Sequence, residues 1–312
     1  MPKLSNLSIP PGGHRRFSIA GIAADVTVGA GMKAPLEFPG PFASFEVSGE
    51  ASVETGDSPE ITIATDSLAS IPPTGAAVAY ESGLNWLVRK AEGRTLFECY
   101  HPYRGQLVLA TASPGFQHYE LVFDEANWGK LWSREPDGHS DFQLPHPLDQ
   151  LLFLAPLARA NGLLLHASGA VIDGKAFVFA GHSGDGKTTL SRLLAAEGLE
   201  LLSDERIALR REGESFRAYG TPWPGEGDVV SSSSYPLAAV FLLKKGDRHR
   251  VNGGRPSLLA AELLSRAIVP YYLAEETQNM LDVVHHLASS VPLRELEFSL
   301  ADGLLPILSR AA

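Results

Sequence analysis

The residues Gly181 to Thr188 read GHSGDGKT and fit the pattern G-x-x-x-x-G-K-[ST]. Such a loop binds phosphate when it joins a strand to the N-terminus of a helix. Several backbone N–H groups then converge on one point, and the helix dipole adds positive potential. Gly184 and Gly186 permit backbone geometry and close approach that a β-carbon would obstruct. Lys187 would reach the β- and γ-phosphates, and the Thr188 hydroxyl would ligate Mg²⁺. The cofactor-binding set expected for ATP is Gly181, Ser183, Gly184, Asp185, Gly186, Lys187, Thr188 and Thr189.

The flanking sequence supplies the elements this chemistry needs. KAFVFA before the loop reads as an apolar strand. TTLSRLLAAEG after it reads as a helix with Leu190, Leu193 and Leu194 on one face and Gly198 as its stop. The helix is ~16 Å long, and a returning strand from Leu199 to Ser203 spans ~16 Å as well. The chain therefore comes back to the sheet edge from which the loop projects, bringing Asp204 and Glu205. A carboxylate there can hold the metal with Thr188, or accept the proton of an attacking hydroxyl. A solvated acidic pair capping a strand is the plainer alternative. His166, between LLL and ASGA, is either a satisfied histidine at a strand end or a group beside the γ-phosphate that shuttles a proton.

This arrangement resembles the catalytic domain of HPr kinase/phosphorylase, in which a histidine, a strand pair, G-x-S-G-x-G-K-[ST], a helix and Asp-Asp follow in order. LLSDERIAL is similar to that family's L-V-A-D-D-R-V-D-I, with Glu205 in place of the second aspartate and Arg206 retained. ATP-dependent phosphoenolpyruvate carboxykinase has a similar loop. The likeness is strong over His166 to Leu209 and weak over the rest of 150–312. The family's E-[IV]-R-G-L-G segment, linked to dephosphorylation, is absent, and GTPWPGEG stands near its place. The likeness implies an ATP- and Mg²⁺-dependent kinase with Asp204, Glu205, His166 and Lys187 as catalytic residues and Thr188 and Asp204 as metal ligands. The implied acceptor is a hydroxyl, serine on a peptide or protein. A small-molecule phosphotransferase on the same core and a non-catalytic nucleotide sensor are the rival readings, and a homo-oligomer is left open.

Two textures divide the chain. Up to about residue 145, FSIAGIAADVTV, ASFEVSG, EITIAT, AAVAYES, NWLVRKA, TLFECYH, LVLATAS and HYELVFD read as strands between turn residues. Segment 133–147 reads as a linker. Then LDQLLFLAPLARANG reads as a helix, LLLHASGAVI as an extended segment, and Asp173-Gly174 as a hairpin turn. The expected architecture is an α/β P-loop kinase core over 146–312, preceded by a β-rich domain over 1–145.

Composition narrows the class. The chain has 312 residues with 26 basic and 36 acidic side chains, so a net charge of −10, and neither half is electropositive. That argues against nucleic acid as the main partner. No apolar run is long enough for a membrane span, and the first residues lack the apolar core of a secretion signal, so a cytoplasmic protein is expected. The single cysteine, Cys99, reads as a buried strand thiol. His182 reads as loop filler, and Glu226 in GTPWPGEG is a candidate second metal ligand. The basic stretch 244–256 is either a solvated loop or the source of an arginine, Arg255, for the transferring phosphate.

Overall fold

The computed structural model describes residues 5–47, 60–132, 142–300 and 303–311. The chain divides into two compact units, Met1–Pro156 and Leu157–Ala312. Residues 133–141 of the expected linker lie outside the described residues.

The first unit contains β1 (Leu7–Ile9), β2 (His14–Ile19), β3 (Ile22–Val28), β4 (Leu36–Phe38), a 3-10 helix (Gly40–Phe45), β5 (Glu60–Leu68), β6 (Ala77–Glu81), β7 (Trp86–Ala91), β8 (Arg94–His101), β9 (Gly105–Ala112), β10 (His118–Asp124), α1 (Glu125–Trp132), β11 (Phe142–Gln143) and most of α2 (Leu148–Arg159). Eight strands form one sheet in the order β2-β3-β5-β10-β9-β8-β7-β6, and β1-β4-β11 form a second. FSIAGIAADVTV is two strands: Ala20 (φ 53°) and Gly21 (φ 71°) turn it into the β2–β3 hairpin. ASF of ASFEVSG lies in the 3-10 helix rather than a strand, where Phe42 packs edge-on against Phe17 at 6.0 Å. Phe142 and Gln143, expected within a linker, pair with Leu36 and Glu37. Leu152 and Phe153 of α2 line a small cavity with Phe17, Ile63 and Leu144, so the first half of this helix belongs to the core of this unit. Cys99 on β8 is buried, and burial pushes its thiol up to about 12, with Asp149 adding to the effect.

The second unit contains β12 (Gly162–Ile172), β13 (Lys175–Ala180), α3 (Lys187–Ala196), β14 (Leu201–Ser203), β15 (Arg206–Glu212), β16 (Ser215–Tyr219), β17 (Ser234–Lys245), β18 (Arg250–Asn252), α4 (Pro256–Leu264), α5 (Ala274–Ser290), β19 (Leu293–Phe298) and α6 (Leu304–Ala311). Asp173 (φ 49°) and Gly174 (φ 73°) make the tight β12–β13 turn. β13 pairs with β12 antiparallel and with β17 parallel, and β17 pairs with β19 parallel. The first half of β12 pairs instead with β15, and its second half with β14.

Strand alternation sends side chains to both faces of this sheet. Ala176, Val178 and Ala180 join Val240, Leu242, and Met280, Val283 and Leu287 of α5. Phe177 and Phe179 join Phe241, Leu190 and Leu194 of α3, and Leu304 and Leu308 of α6. Both faces are covered by helices, which explains the near-continuous apolar runs of β12, β13 and β17. No helix among the described residues is long and apolar enough to cross a membrane.

Candidate functional site

The Gly181–Thr188 loop joins the end of β13 to the start of α3. Gly186 is the N-cap of α3 with φ 97°, and Gly184 has φ 84°. Both values fall where a side chain is strained, so glycine is required by backbone geometry at each. Ser183 and Gly184 are exposed, as is Thr189; Asp185, Gly186 and Thr188 are half-buried. The Asp185 carboxylate accepts the His182 N–H at 2.7 Å and so closes the loop on itself. His182 itself is exposed.

Lys187 turns back under this loop. Its side chain is only 5% exposed, and Nζ donates to the carbonyls of Gly181 and His182 at 3.2 Å each. The Glu205 carboxylate lies 3.7 Å away. Burial pulls the Lys187 ammonium below its ordinary value, and Glu205 works against that pull.

Glu205 is the hub of the cluster. Its Oε1 lies 2.8 Å from His166 Nε2 and 2.7 Å from Arg206 Nη1. Backbone pairing explains the first contact: Ala167 N donates to Glu205 O, and the Gly181 N donates to His166 O. β12 thus ties the histidine both to the carboxylate and to the loop. The Ser203 hydroxyl accepts the N–H groups of Glu205 and Arg206, which fixes the bend between β14 and β15. Burial pushes the Glu205 carboxyl up, but hydrogen bonds and charge from His166 and Arg206 outweigh it and hold the group at about 2.

Asp204 is oriented differently. It is fully buried, and its Oδ1 and Oδ2 accept the N–H groups of Gly225 at 2.9 Å and Gly227 at 2.6 Å. A β-carbon on Gly227 would lie 2.5 Å from Asp204 Oδ2, and one on Gly225 2.9 Å from the Glu205 β-carbon. The glycines of GTPWPGEG therefore let the backbone close over the Asp204-Glu205 pair. Glu226 between them is exposed at the turn. Thr221 and Trp223 are buried, and the Thr221 hydroxyl donates to Arg206 O at 2.8 Å. The role of Gly225 and Gly227 as donors was not anticipated from sequence; the repeated glycine around Glu226 is the signal that could have shown it.

Among the described residues, no three His, Cys, Asp or Glu side chains gather to hold a metal by themselves. A nucleotide-bound Mg²⁺ needs only one or two protein oxygens, because phosphates and waters supply the rest. Thr188, in the first turn of α3, and the Glu205 carboxylate, 3.7 Å from Lys187 Nζ, are oxygen donors of that kind. Arg206 Nε is a buried donor without an acceptor among the described residues, beside Glu205.

Residues 148–301 match the sequence model of a family described as SynChlorMet cassette protein ScmC, just under half of the chain. No curated protein matches the chain. Among solved structures, the HPr(Ser) kinase/phosphatase from Coxiella burnetii is similar at 16% identity and a TM-score of 0.26, over 47% of this chain and 91% of that one.

Proposed function

We propose that the second unit is an ATP- and Mg²⁺-dependent phosphotransferase that delivers the γ-phosphate to a hydroxyl, serine of a peptide or protein. The observation that supports this most is the convergence of Lys187, Glu205 and His166 on one loop of phosphate-binding sequence. The amides of Gly181–Thr188 and the Lys187 ammonium would cradle the phosphates. Thr188 would hold Mg²⁺ with a carboxylate of the Asp204-Glu205 pair. Bound Mg²⁺ would neutralise charge on the β- and γ-phosphates.

The residues divide the work by their protonation. A carboxylate held at about 2 stays anionic at neutral pH, so Glu205 is a weak proton acceptor and a good orienting group. It accepts a hydrogen bond from His166 Nε2–H, which fixes the ring and leaves Nδ1 as its other nitrogen. His166 would then take the proton of the attacking hydroxyl. Asp204 would contribute through lone pairs not used by Gly225 and Gly227, and through the turn it holds. Catalysis would consist of positioning and charge neutralisation, without a covalent intermediate.

One observation favours a nucleotide sensor instead: both Asp204 oxygens are already engaged by backbone N–H groups. Transfer from γ-labelled ATP into proteins of a source-cell lysate separates the two. A labelled acceptor that disappears with Lys187→Ala and with His166→Ala supports the transferase; tight ATP binding without any transfer supports the sensor.

A further inference from the structure

The backbone of His166 is held on both sides. Its N–H donates to Arg266 O at 2.8 Å, and its carbonyl accepts Gly181 N at 3.2 Å. Arg266 follows α4 and opens a short extended segment against the first half of β12: Leu165 bridges Ala267, and Ile268 N donates to Leu164 O. From Ala167 onward, β12 pairs with β13 instead. His166 therefore stands where β12 changes partner, between the exit of α4 and the phosphate loop.

The Arg266 side chain ties that exit down. It is 4% exposed and folds back on α4, where Nη1 donates to Glu262 O at 2.7 Å and Nη2 to Glu262 Oε1 at 2.8 Å. The same Oε1 accepts from Lys244 Nζ on β17, and Lys244 lies 3.6 Å from Glu295 of β19. Lys244 opens the basic stretch 244–256 and is half-buried, whereas Lys245 is exposed. Leu243, just before it, reaches the loop: a β-carbon on Gly181 would lie 3.4 Å from the Leu243 β-carbon. Contacts thus run in a ring from Gly181 through Leu243-Lys244, Glu262 and Arg266 to His166, and back to Gly181. Burial pushes the Glu262 carboxyl up, and Lys244 and Arg266 more than compensate, so the group lies below its ordinary value and keeps its charge between the two cations.

We infer that Lys244, Glu262 and Arg266 form a positioning network that sets the His166 ring against Glu205 beside the loop; this rests on the reading of His166 as the proton acceptor. The Arg266 carbonyl holds the His166 N–H, so a shift of that carbonyl moves the backbone from which the imidazole hangs. A misplacement of about 1 Å in such a group can cost roughly a hundredfold in rate. The Arg266 fork holds one carboxylate oxygen and one carbonyl at fixed angles, which a single flexible ammonium does not reproduce.

The test uses the full chain labelled with ¹⁵N-histidine. The His166 ring signals are those missing from His166→Gln. Arg266→Gln removes the charged fork, and Lys244→Gln, at a half-buried position, is measured alongside it in case the buried substitution loses cooperative melting. The expected result is displacement of the His166 ring signals in both variants, with those of exposed His182 on the loop unmoved. ATP affinity should stay within a few-fold, while transfer to a labelled acceptor falls roughly tenfold or more. Unmoved His166 signals in a folded variant overturn the network, even where the melting midpoint drops, because a purely structural role gives that outcome. A wild type that transfers no phosphate overturns the proton-acceptor reading instead, and the ring signals alone then decide the network.

Discussion

Glu205, at the bend between β14 and β15, meets His166 on β12, with Oε1 2.8 Å from Nε2. The pair exists because Ala167 N bonds to Glu205 O, which fixes the two side chains as neighbours before either touches a ligand. The histidine is thereby held in one orientation beside the loop, which is what a proton acceptor needs.

The pH dependence of stability follows from this hub. Glu205 is lowered from 4.5 to about 2 in the folded chain: burial raises it, and His166 and Arg206 more than compensate. Its stabilising contribution is therefore complete above about pH 4.5 and is lost as pH falls toward about 2. Glu205→Gln should remove roughly 1–3 kcal/mol at neutral pH and flatten that part of the acid-unfolding curve. Denaturant melts at pH 3, 5 and 7 check this. A difference between variant and wild type that does not shrink toward pH 3 would contradict the assignment.

Asp204 should behave differently from its neighbour. Asp204→Asn places an amide NH₂ where Gly225 N–H or Gly227 N–H now finds an acceptor, and the site is fully buried. A loss of about 1–3 kcal/mol is expected from the unpaired donor. ATP affinity should stay within a few-fold, because the loop amides and Lys187 are untouched. Unchanged stability in Asp204→Asn would show that the two hydrogen bonds are not important to the fold.

The glycine turn offers an independent check with an internal control. Gly227→Ala would push a β-carbon to 2.5 Å from Asp204 Oδ2, whereas one on Gly253 meets nothing within 4 Å. Gly227→Ala should cost about 1–3 kcal/mol, the usual range for overpacking, and Gly253→Ala less than about 0.5 kcal/mol. Thermal denaturation of the two variants side by side decides it; equal midpoints would mean that the turn does not close on Asp204.

Local pattern made much of the second unit readable. KAFVFA, the Asp173-Gly174 turn and the helix after Lys187 each announce themselves within a dozen residues, through apolar runs, turn chemistry and a glycine stop. What local pattern cannot contain is pairing between distant segments. The contact of Glu205 with His166 depends on the register of β12, nearly forty residues upstream. The partners of Asp204 lie 21 and 23 residues downstream, in a segment where the sequence singled out Glu226 and not the glycines beside it. In the first unit, the Ala20-Gly21 turn was hidden because alanine gives no signal for positive φ. ASF was read as strand from its residue types, whereas packing of Phe42 on Phe17 draws it into a 3-10 turn.

Gly181–Thr188 is proposed to bind the phosphates of ATP through Lys187. Lys187 is buried under the loop and held by two of its carbonyls. Calorimetric titration of ATP with Mg²⁺ into the wild type and into folded Lys187→Ala tests it directly. Saturable binding by the wild type is expected, with a loss of at least about a hundredfold in the variant, about 2.7 kcal/mol. Equal ATP affinity in the two proteins, with the variant's circular dichroism and melting cooperativity intact, would contradict it.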